Sequence, residues 1–296
     1  MSEPTEAGQP SERSVPSEPA GPAGATGGSG EERYGDWVAV RRNAEGWVAE
    51  LVLDRTEAMN ALSTELARQL AAACDALAAD RRIRAVVLCS SDPRAFCVGA
   101  DLKERDGVDN AELARQRTLL RAAFNGVLAL PMPVVAAVHG FALGGGLELA
   151  LSCDLIVADP SAVLALPEVS VGVIPGGGGT QLLPRRVGLA KAAELIFTAR
   201  RVTATEALGL GLIDRLASPD RVHAEARELA ETIAANSPVG LRAAKHALRA
   251  GFGLDLAAGL AVEDAAWRTV AFSPDRLEGV RAFREKRPPR WPDSTA

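Results

Sequence analysis

GFALGGGLELALSCDL, Gly140 to Leu155, sets three consecutive glycines before an apolar run that contains one carboxylate. Glycine weakens a helix interior, and a carboxylate among apolar neighbours is costly to desolvate. Both features fit a strand-to-helix junction. Glycines there let the backbone approach a ligand closely. The first turn of the helix that follows has free N–H groups and the positive end of the dipole, a combination that stabilises negative charge on an oxygen. Glu148 stands among Leu147, Leu149, Ala150 and Leu151, so this helix is expected to be buried on nearly every side. A nucleotide phosphate loop is not the explanation. No GxxxxGK[ST] occurs, and no GxGxxG here is followed by an acidic partner on a second strand. The plainer reading of the triplet is close helix–sheet packing, and of Glu148 a structurally satisfied side chain.

Outward from this junction, strand and helix signals alternate. WVAVRRNAEGWVAELVLD reads as two strands about the turn Asn43-Ala44-Glu45-Gly46, with ordered structure starting near Asp36. Ser63 is placed to cap a helix whose Leu66, Leu70, Ala73 and Leu77 share one face. Ile83 to Cys89 and Val134 to Val138 are short, valine-rich runs expected as buried strands, with a helix carrying Leu113, Leu120, Phe124 and Val127 between them. Leu155 to Ala158 is a further strand. The alternation predicts an α/β fold with parallel strands covered by helices. From about Gly178 the chain reads mostly as helix.

The division expected is a tail over residues 1–33, an α/β core over 34–230 and a helical C-terminal region over 231–296. The tail is rich in Ser, Pro, Gly and Glu, and its composition predicts disorder. It has neither the apolar core of a secretory signal nor the arginines of a transit peptide. Residues 1–32 hold six glutamates and one arginine, which accounts for the whole net charge of -5. The neutral remainder is not the footprint of a nucleic-acid binder. No apolar run is long enough to cross a membrane. Cys74, Cys89, Cys97 and Cys153 form no CxxC pair, and no histidine completes a zinc site with them, so no metal is expected. Buried reduced thiols and a cytoplasmic, reducing location fit this pattern.

Two further segments bear on chemistry. LALPEVSVGVIPGGGG places Glu168 after Pro167 in another apolar, turn-rich setting, twenty residues beyond Glu148. That spacing allows helix, strand and return, so the two carboxylates can meet across one cavity, a recurrent acid/base arrangement. AFCVGADLKER brings Gly99, able to take a positive φ, before a turn at Ala100, Asp101 and Leu102. Its amides are candidate donors, and Lys103 and Arg105 are cations for an anionic ligand. An ordinary turn with surface charge is the alternative.

Taken in order, these segments resemble the crotonase, or enoyl-CoA hydratase/isomerase, superfamily. LDRTEAMNALS (Leu53 to Ser63), AFCVGADLKE (Ala95 to Glu104), HGFALGGGLELALSCDLIVA (His139 to Ala158), LPEVSVGVIPGGGGTQLLPRRVG (Leu166 to Gly188) and DRLEGVRAFREKRPPRW (Asp275 to Trp291) carry the likeness. It spans about Asp36 to Trp291. The resemblance implies a ββα spiral core with a helical C-terminal trimerisation region. It implies that the N–H groups of Ala100 and Gly145 form an oxyanion hole, and that Glu148 and Glu168 are the two catalytic glutamates of a hydratase. It places Arg55, Ala58, Ala100, Asp101, Leu102 and Lys103 along bound coenzyme A, with Phe283 and Lys286 reaching the coenzyme A of a neighbouring subunit. The assembly implied is a homotrimer or hexamer. No separate cofactor is implied, since coenzyme A is part of the acyl-CoA substrate.

ADLKER, IPGGGGTQLLPR and EKRPPR look like the branch that contains 3-methylglutaconyl-CoA hydratase, which implies a branched substrate from leucine breakdown. The activity implied is that of a 2-enoyl-CoA hydratase, with 3-methylglutaconyl-CoA hydratase of leucine degradation as the alternative and an enoyl-CoA isomerase or a non-catalytic RNA-binding member as the further one. Retention of both glutamates favours hydration. The helix that is lysine-rich in an RNA-binding relative reads TELARQLAAACDALAAD here, with one arginine and no lysine, against nucleic-acid binding.

Overall fold

The computed structural model describes residues 26–27 and 30–292; the rest of the expected tail lies outside the described residues. Four strands come first: β1 (Thr26–Gly27), β2 (Glu31–Arg33), β3 (Val38–Arg42) and β4 (Val48–Leu53). Then follow α1 (Thr64–Ala79), β5 (Ala85–Ser90), β6 (Ala95–Cys97), the short α2 (Leu102–Arg105), α3 (Asn110–Ala129) and β7 (Val134–Val138). β8 (Phe141–Leu143) leads into α4 (Gly145–Ser152), β9 (Leu155–Ala158) and β10 (Val163–Ala165). Beyond lie α5 (Gly179–Val187), α6 (Leu189–Thr198), β11 (Val202–Thr203), α7 (Ala204–Leu210) and β12 (Arg215–Leu216). The described chain closes with α8 (Val222–Ala234), α9 (Pro238–Gly251), α10 (Leu256–Ala271) and α11 (Pro274–Glu285).

The main sheet has the order β1-β2-β3-β4-β5-β7-β9-β12. Its first four strands are antiparallel, and β4 through β12 are parallel. Side-chain alternation explains why both faces are covered. Val86 and Leu88 of β5 point into a core shared with Leu66, Leu70 and Leu77 of α1. Val87 and Cys89 point the other way, with Val135, Val157 and the Val222, Ala226 and Ala230 stripe of α8. Ser63 caps α1 as expected, its Oγ accepting the Leu66 N–H at 3.1 Å. The strands at β5, β7 and β9 and the helix at the glycine triplet also fall where the sequence predicts them.

A second, smaller sheet of order β11-β10-β8-β6 was not anticipated. Its strands have two or three residues each, too few to show a period. β6, β8 and β10 run parallel, and this sheet carries the segments that lead into Gly99, Gly144 and Glu168.

Two expectations are corrected. Ordered structure begins before Asp36, because β2 pairs with β3. Glu31 and Glu32 read as tail by composition, but Arg41 and Arg42 on the neighbouring strand neutralise them, at 2.7 and 3.2 Å. The division after residue 230 falls inside α8, whose apolar stripe belongs to the main sheet. The separate helical region therefore starts after Ala234. Along α3, Leu120, Phe124 and Val127 are buried and Leu113 is exposed.

Close packing at α4 is a testable consequence. A methyl group on Gly146 would overlap the Cys97 carbonyl oxygen, which is backbone and cannot yield. Gly146→Ala is expected to destabilise the fold by about 2–3 kcal/mol or more. Gly209, inside α7, has open space around it, so Gly209→Ala should be neutral or stabilising by up to ~1 kcal/mol. Urea denaturation of both variants checks the contrast.

Candidate active site

The glycine triplet sits at the point where the two sheets deliver their loops. Gly144 has φ 51° and ψ -123°, a conformation open to glycine and costly for other residues. Its N–H donates to the Ala165 carbonyl at 2.8 Å, tying the triplet to the end of β10. Opposite, Gly99 has φ 87°. A methyl there would lie 2.7 Å from the Leu143 carbonyl oxygen and 3.0 Å from the Gly145 nitrogen. The two loops thus approach across a contact that only glycine permits.

Ala100 follows Gly99, and Gly145 opens α4. Both line one cavity of about 620 Å³. Among the described residues neither the Ala100 nor the Gly145 N–H has a protein acceptor, while their neighbours do. Leu62 N–H donates to the Gly99 carbonyl at 2.7 Å, and Asp101 N–H donates to the Leu62 carbonyl at 3.1 Å. The Ala100 amide is therefore held from both sides and left free in the middle.

Glu148 lies one turn along α4, nearly fully buried. Its Oε1 accepts the Gly177 N–H at 2.6 Å and the Gly179 N–H at 2.8 Å. Burial pushes its carboxyl above the ordinary range, and the Gly179 and Gly177 amides and the Arg117 charge oppose that shift. Gly177 fits between Phe124 and Glu148: a methyl there would lie 2.6 Å from the Phe124 ring and 2.8 Å from Glu148 Oε2.

Glu168 starts the 3-10 turn Glu168–Val171, directly after Pro167. A methyl on Gly144 would lie 3.0 Å from Glu168 Oε1, so the triplet also makes room for this carboxylate. Glu168 Oε2 is buried with no hydrogen-bond partner among the described residues. Burial, with a smaller contribution from the charge of Glu148, pushes its carboxyl up to about 7. Both glutamates line the cavity that holds Ala100 and Gly145. The arrangement offers two free backbone donors, one anchored carboxylate and one carboxylate able to gain or lose a proton near neutral pH.

Of the expected coenzyme A contacts, Ala100 and Leu102 line the cavity, and Arg55, Ala58, Asp101 and Lys103 lie outside its lining. Arg55 is engaged with protein instead. Its Nη1 donates to Asp101 Oδ2 and to the Ala61 carbonyl, both at 2.8 Å, and its guanidinium stacks over Trp37 at 4.7 Å. Asp101 in turn caps α2 by accepting the Lys103 N–H at 3.0 Å. Phe283 and Lys286 at the end of α11 are not among the cavity residues, and Phe283 is 84% exposed. Sequence reasoning missed Arg117 and the Gly177 and Gly179 amides, and it named Phe124 only as a residue of the helix. The signal available was the α3 spacing Leu113, Arg117, Leu120, Phe124, a face that includes one cation and now proves to be a cavity wall.

The chain is similar to known proteins. The family described as enoyl-CoA hydratase/isomerase matches residues 43–294. YngF of Bacillus subtilis is 46% identical over 240 residues, which cover 81% of this chain and 92% of that protein. The mitochondrial methylglutaconyl-CoA hydratase of Rattus norvegicus is 44% identical over 248 residues, 82% of this chain and 79% of that protein. Among solved structures, an enoyl-CoA hydratase from Bacillus anthracis superposes with TM-score 0.84 at 40% identity, covering 86% of this chain and 99% of that one.

The raised carboxyl of Glu168 fixes a pH dependence. Its folded value of about 7 exceeds the ordinary 4.5, so the folded state binds more protons than the unfolded state between those values. Stability attributable to this group is therefore present at low pH and lost as pH rises from about 4.5 to about 7. Glu168→Gln should flatten the stability profile in that window, measured by denaturation at a series of pH values. Glu148→Gln removes a neighbouring negative charge and should lower the Glu168 midpoint, read by carbon NMR of labelled glutamate.

Proposed function

The chain belongs to the enoyl-CoA hydratase/isomerase family, and from that premise we propose that it adds water across the 2,3 double bond of a 2-enoyl-CoA thioester to give a 3-hydroxyacyl-CoA. The observation that carries this reading is one cavity holding two free amides, at Ala100 and Gly145, together with two carboxylates of unlike environment. The thioester oxygen accepts from both amides. As water attacks C3, negative charge develops on that oxygen, and prepositioned N–H dipoles stabilise it more in the transition state than in the ground state. The N-terminus of α4 adds its dipole at the same place.

Glu148, oriented by the Gly177 and Gly179 amides, holds the attacking water and draws its proton. Glu168 exchanges the proton at C2, a role suited to a carboxyl that titrates at about 7. The oxygen and one hydrogen of water end on C3, and a proton ends on C2. No metal or separate cofactor takes part in this scheme. Coenzyme A enters as part of the substrate, beside Ala100 and Leu102. The Arg55–Asp101 pair serves it by fixing the Ala100 loop, and Lys103 offers a charge at the exposed end of α2. The similarity to a protein named methylglutaconyl-CoA hydratase supports a branched acyl group as the natural substrate.

The assembly proposed is a homotrimer or hexamer formed through α9 to α11. These helices expose Leu248, Phe252, Leu256, Trp267, Phe272 and Phe283, more apolar surface than a monomer ordinarily leaves in water. Phe283 and Lys286 would then meet the coenzyme A of the neighbouring subunit. Four buried cysteines with no disulfide suit a reducing compartment.

Hydration removes the conjugated chromophore of crotonyl-CoA, so its ultraviolet absorbance should fall on mixing with the protein. Glu148→Gln and Glu168→Gln are each expected to slow that loss by about 10²–10⁴-fold with the fold retained. Undiminished turnover in either folded variant would overturn the assignment. Light scattering should return three or six times the chain mass.

A further inference from the structure

Asn60 is fully buried and lies outside the lining of the cavity. It is the second of two consecutive residues in the left-handed region, with φ 49° at Met59 and 56° at Asn60. Asparagine enters this region more readily than most residues with a side chain, and a backbone kept there is held by its surroundings. The Asn60 side chain supplies that hold. Its Oδ1 accepts the Arg55 N–H at 2.8 Å, and its Nδ2 donates to Ser90 Oγ at 2.7 Å and to the Phe96 carbonyl at 3.0 Å. Ser90, the last residue of β5, gives its own proton to the Ala95 carbonyl at 2.7 Å, so toward Asn60 it only accepts. One buried amide thus ties the end of β5 and the strand β6 to the loop that follows β4.

What this tie fixes is the segment against which the Ala100 turn is laid. The Met59 carbonyl accepts the Val98 N–H at 3.2 Å, and the Asn60 carbonyl accepts the Cys97 thiol at 3.0 Å. Leu62, two residues on, donates to the Gly99 carbonyl and accepts the Asp101 N–H. These contacts flank Ala100 on both sides, so displacing residues 59–62 displaces its amide. The Gly145 amide has a separate support, through α4 and the bond from Gly144 to Ala165. A shift on the Ala100 side alone therefore changes the spacing between the two donors. We propose that Asn60 is a positioning residue for the reaction: acting from the core through residues 59–62, it sets where the Ala100 amide stands and so how well the developing oxyanion is held. This inference rests on the hydratase reading. Donors fixed in advance act on charge that builds in the transition state, so their placement bears on kcat more than on substrate binding. Misplacement by about 1 Å costs on the order of 10²-fold in rate.

The test compares the unmodified protein with Asn60→Gly, which keeps the left-handed backbone and removes the side-chain bonds to Arg55, Ser90 and Phe96. Loss of crotonyl-CoA absorbance gives kcat and KM. Infrared difference spectra with saturating butyryl-CoA, labelled with carbon-13 at the thioester carbonyl, read the hydrogen bonding of that oxygen. Asn60→Gly is expected to lower kcat about 10- to 100-fold with KM changed less than about 3-fold, and to lose most of the downward shift of the bound carbonyl band. A residue that only stabilised the fold would lower the melting temperature and leave that band in place. A folded variant with unchanged kcat and an unchanged band overturns the proposal, and so does a rise in KM alone. If Asn60→Gly does not fold, Ser90→Ala decides, since it removes one anchor and retains Asn60. There kcat should fall about 3- to 10-fold and the band should move the same way; no change in either overturns the proposal. If the unmodified protein does not hydrate crotonyl-CoA, the hydratase reading fails instead, and the band of bound butyryl-CoA still reports whether Asn60 places the amide.

Discussion

Two peptide segments cross at Gly99 and at Gly144 to Gly146 with no side chain between them, and the rest of the site depends on that crossing. A single methyl at Gly99 or Gly146 would meet main-chain oxygen, at Leu143 or at Cys97. Main chain cannot rotate away as a side chain can, so the contact is tolerant of glycine alone. The crossing brings the first turn of α4, with its unfilled N–H groups, against the amide that follows Gly99. A packing constraint and a functional arrangement are the same contact. The triplet is a close helix–sheet junction that also leaves the Gly145 amide without a protein acceptor at the cavity.

The second glycine cluster, Pro175–Gly179, does the complementary task. Its amides point at the protein's own carboxylate, Glu148, and hold it ionisable despite near-complete burial. Glu168 receives no such donors at Oε2, and its carboxyl rises to about 7. Two glutamates of identical chemistry are thus driven to different behaviour by what surrounds them. One is anchored and one is left free to exchange a proton, which is how a pair of carboxylates divides acid and base work.

The scaffold makes this division durable. The parallel part of the main sheet is covered by α1 on one face and α8 on the other, so its strands are fixed by packing on both sides. The smaller sheet then aims three loops at one point. The Arg55–Asp101 pair, partly shielded beneath Trp37, fastens the Gly99 to Leu102 segment without entering the cavity.

The α/β class, the main helices and strands, and the candidates Glu148, Glu168, Ala100 and Gly145 were legible in the sequence. Glycine, proline and valine report local backbone needs, and a carboxylate among leucines is conspicuous wherever it folds. Less was legible at the edges. β2 looks like tail until Arg41 and Arg42 lie beside it, and α8 looks like a separate helix until its stripe meets the sheet. These are pairings between residues far apart in the chain, and composition and period carry no information about them. The sequence by itself determined which groups were available for chemistry. Only the tertiary structure decided which of them share a cavity, because desolvation and opposed amides arise from neighbours that folding alone supplies.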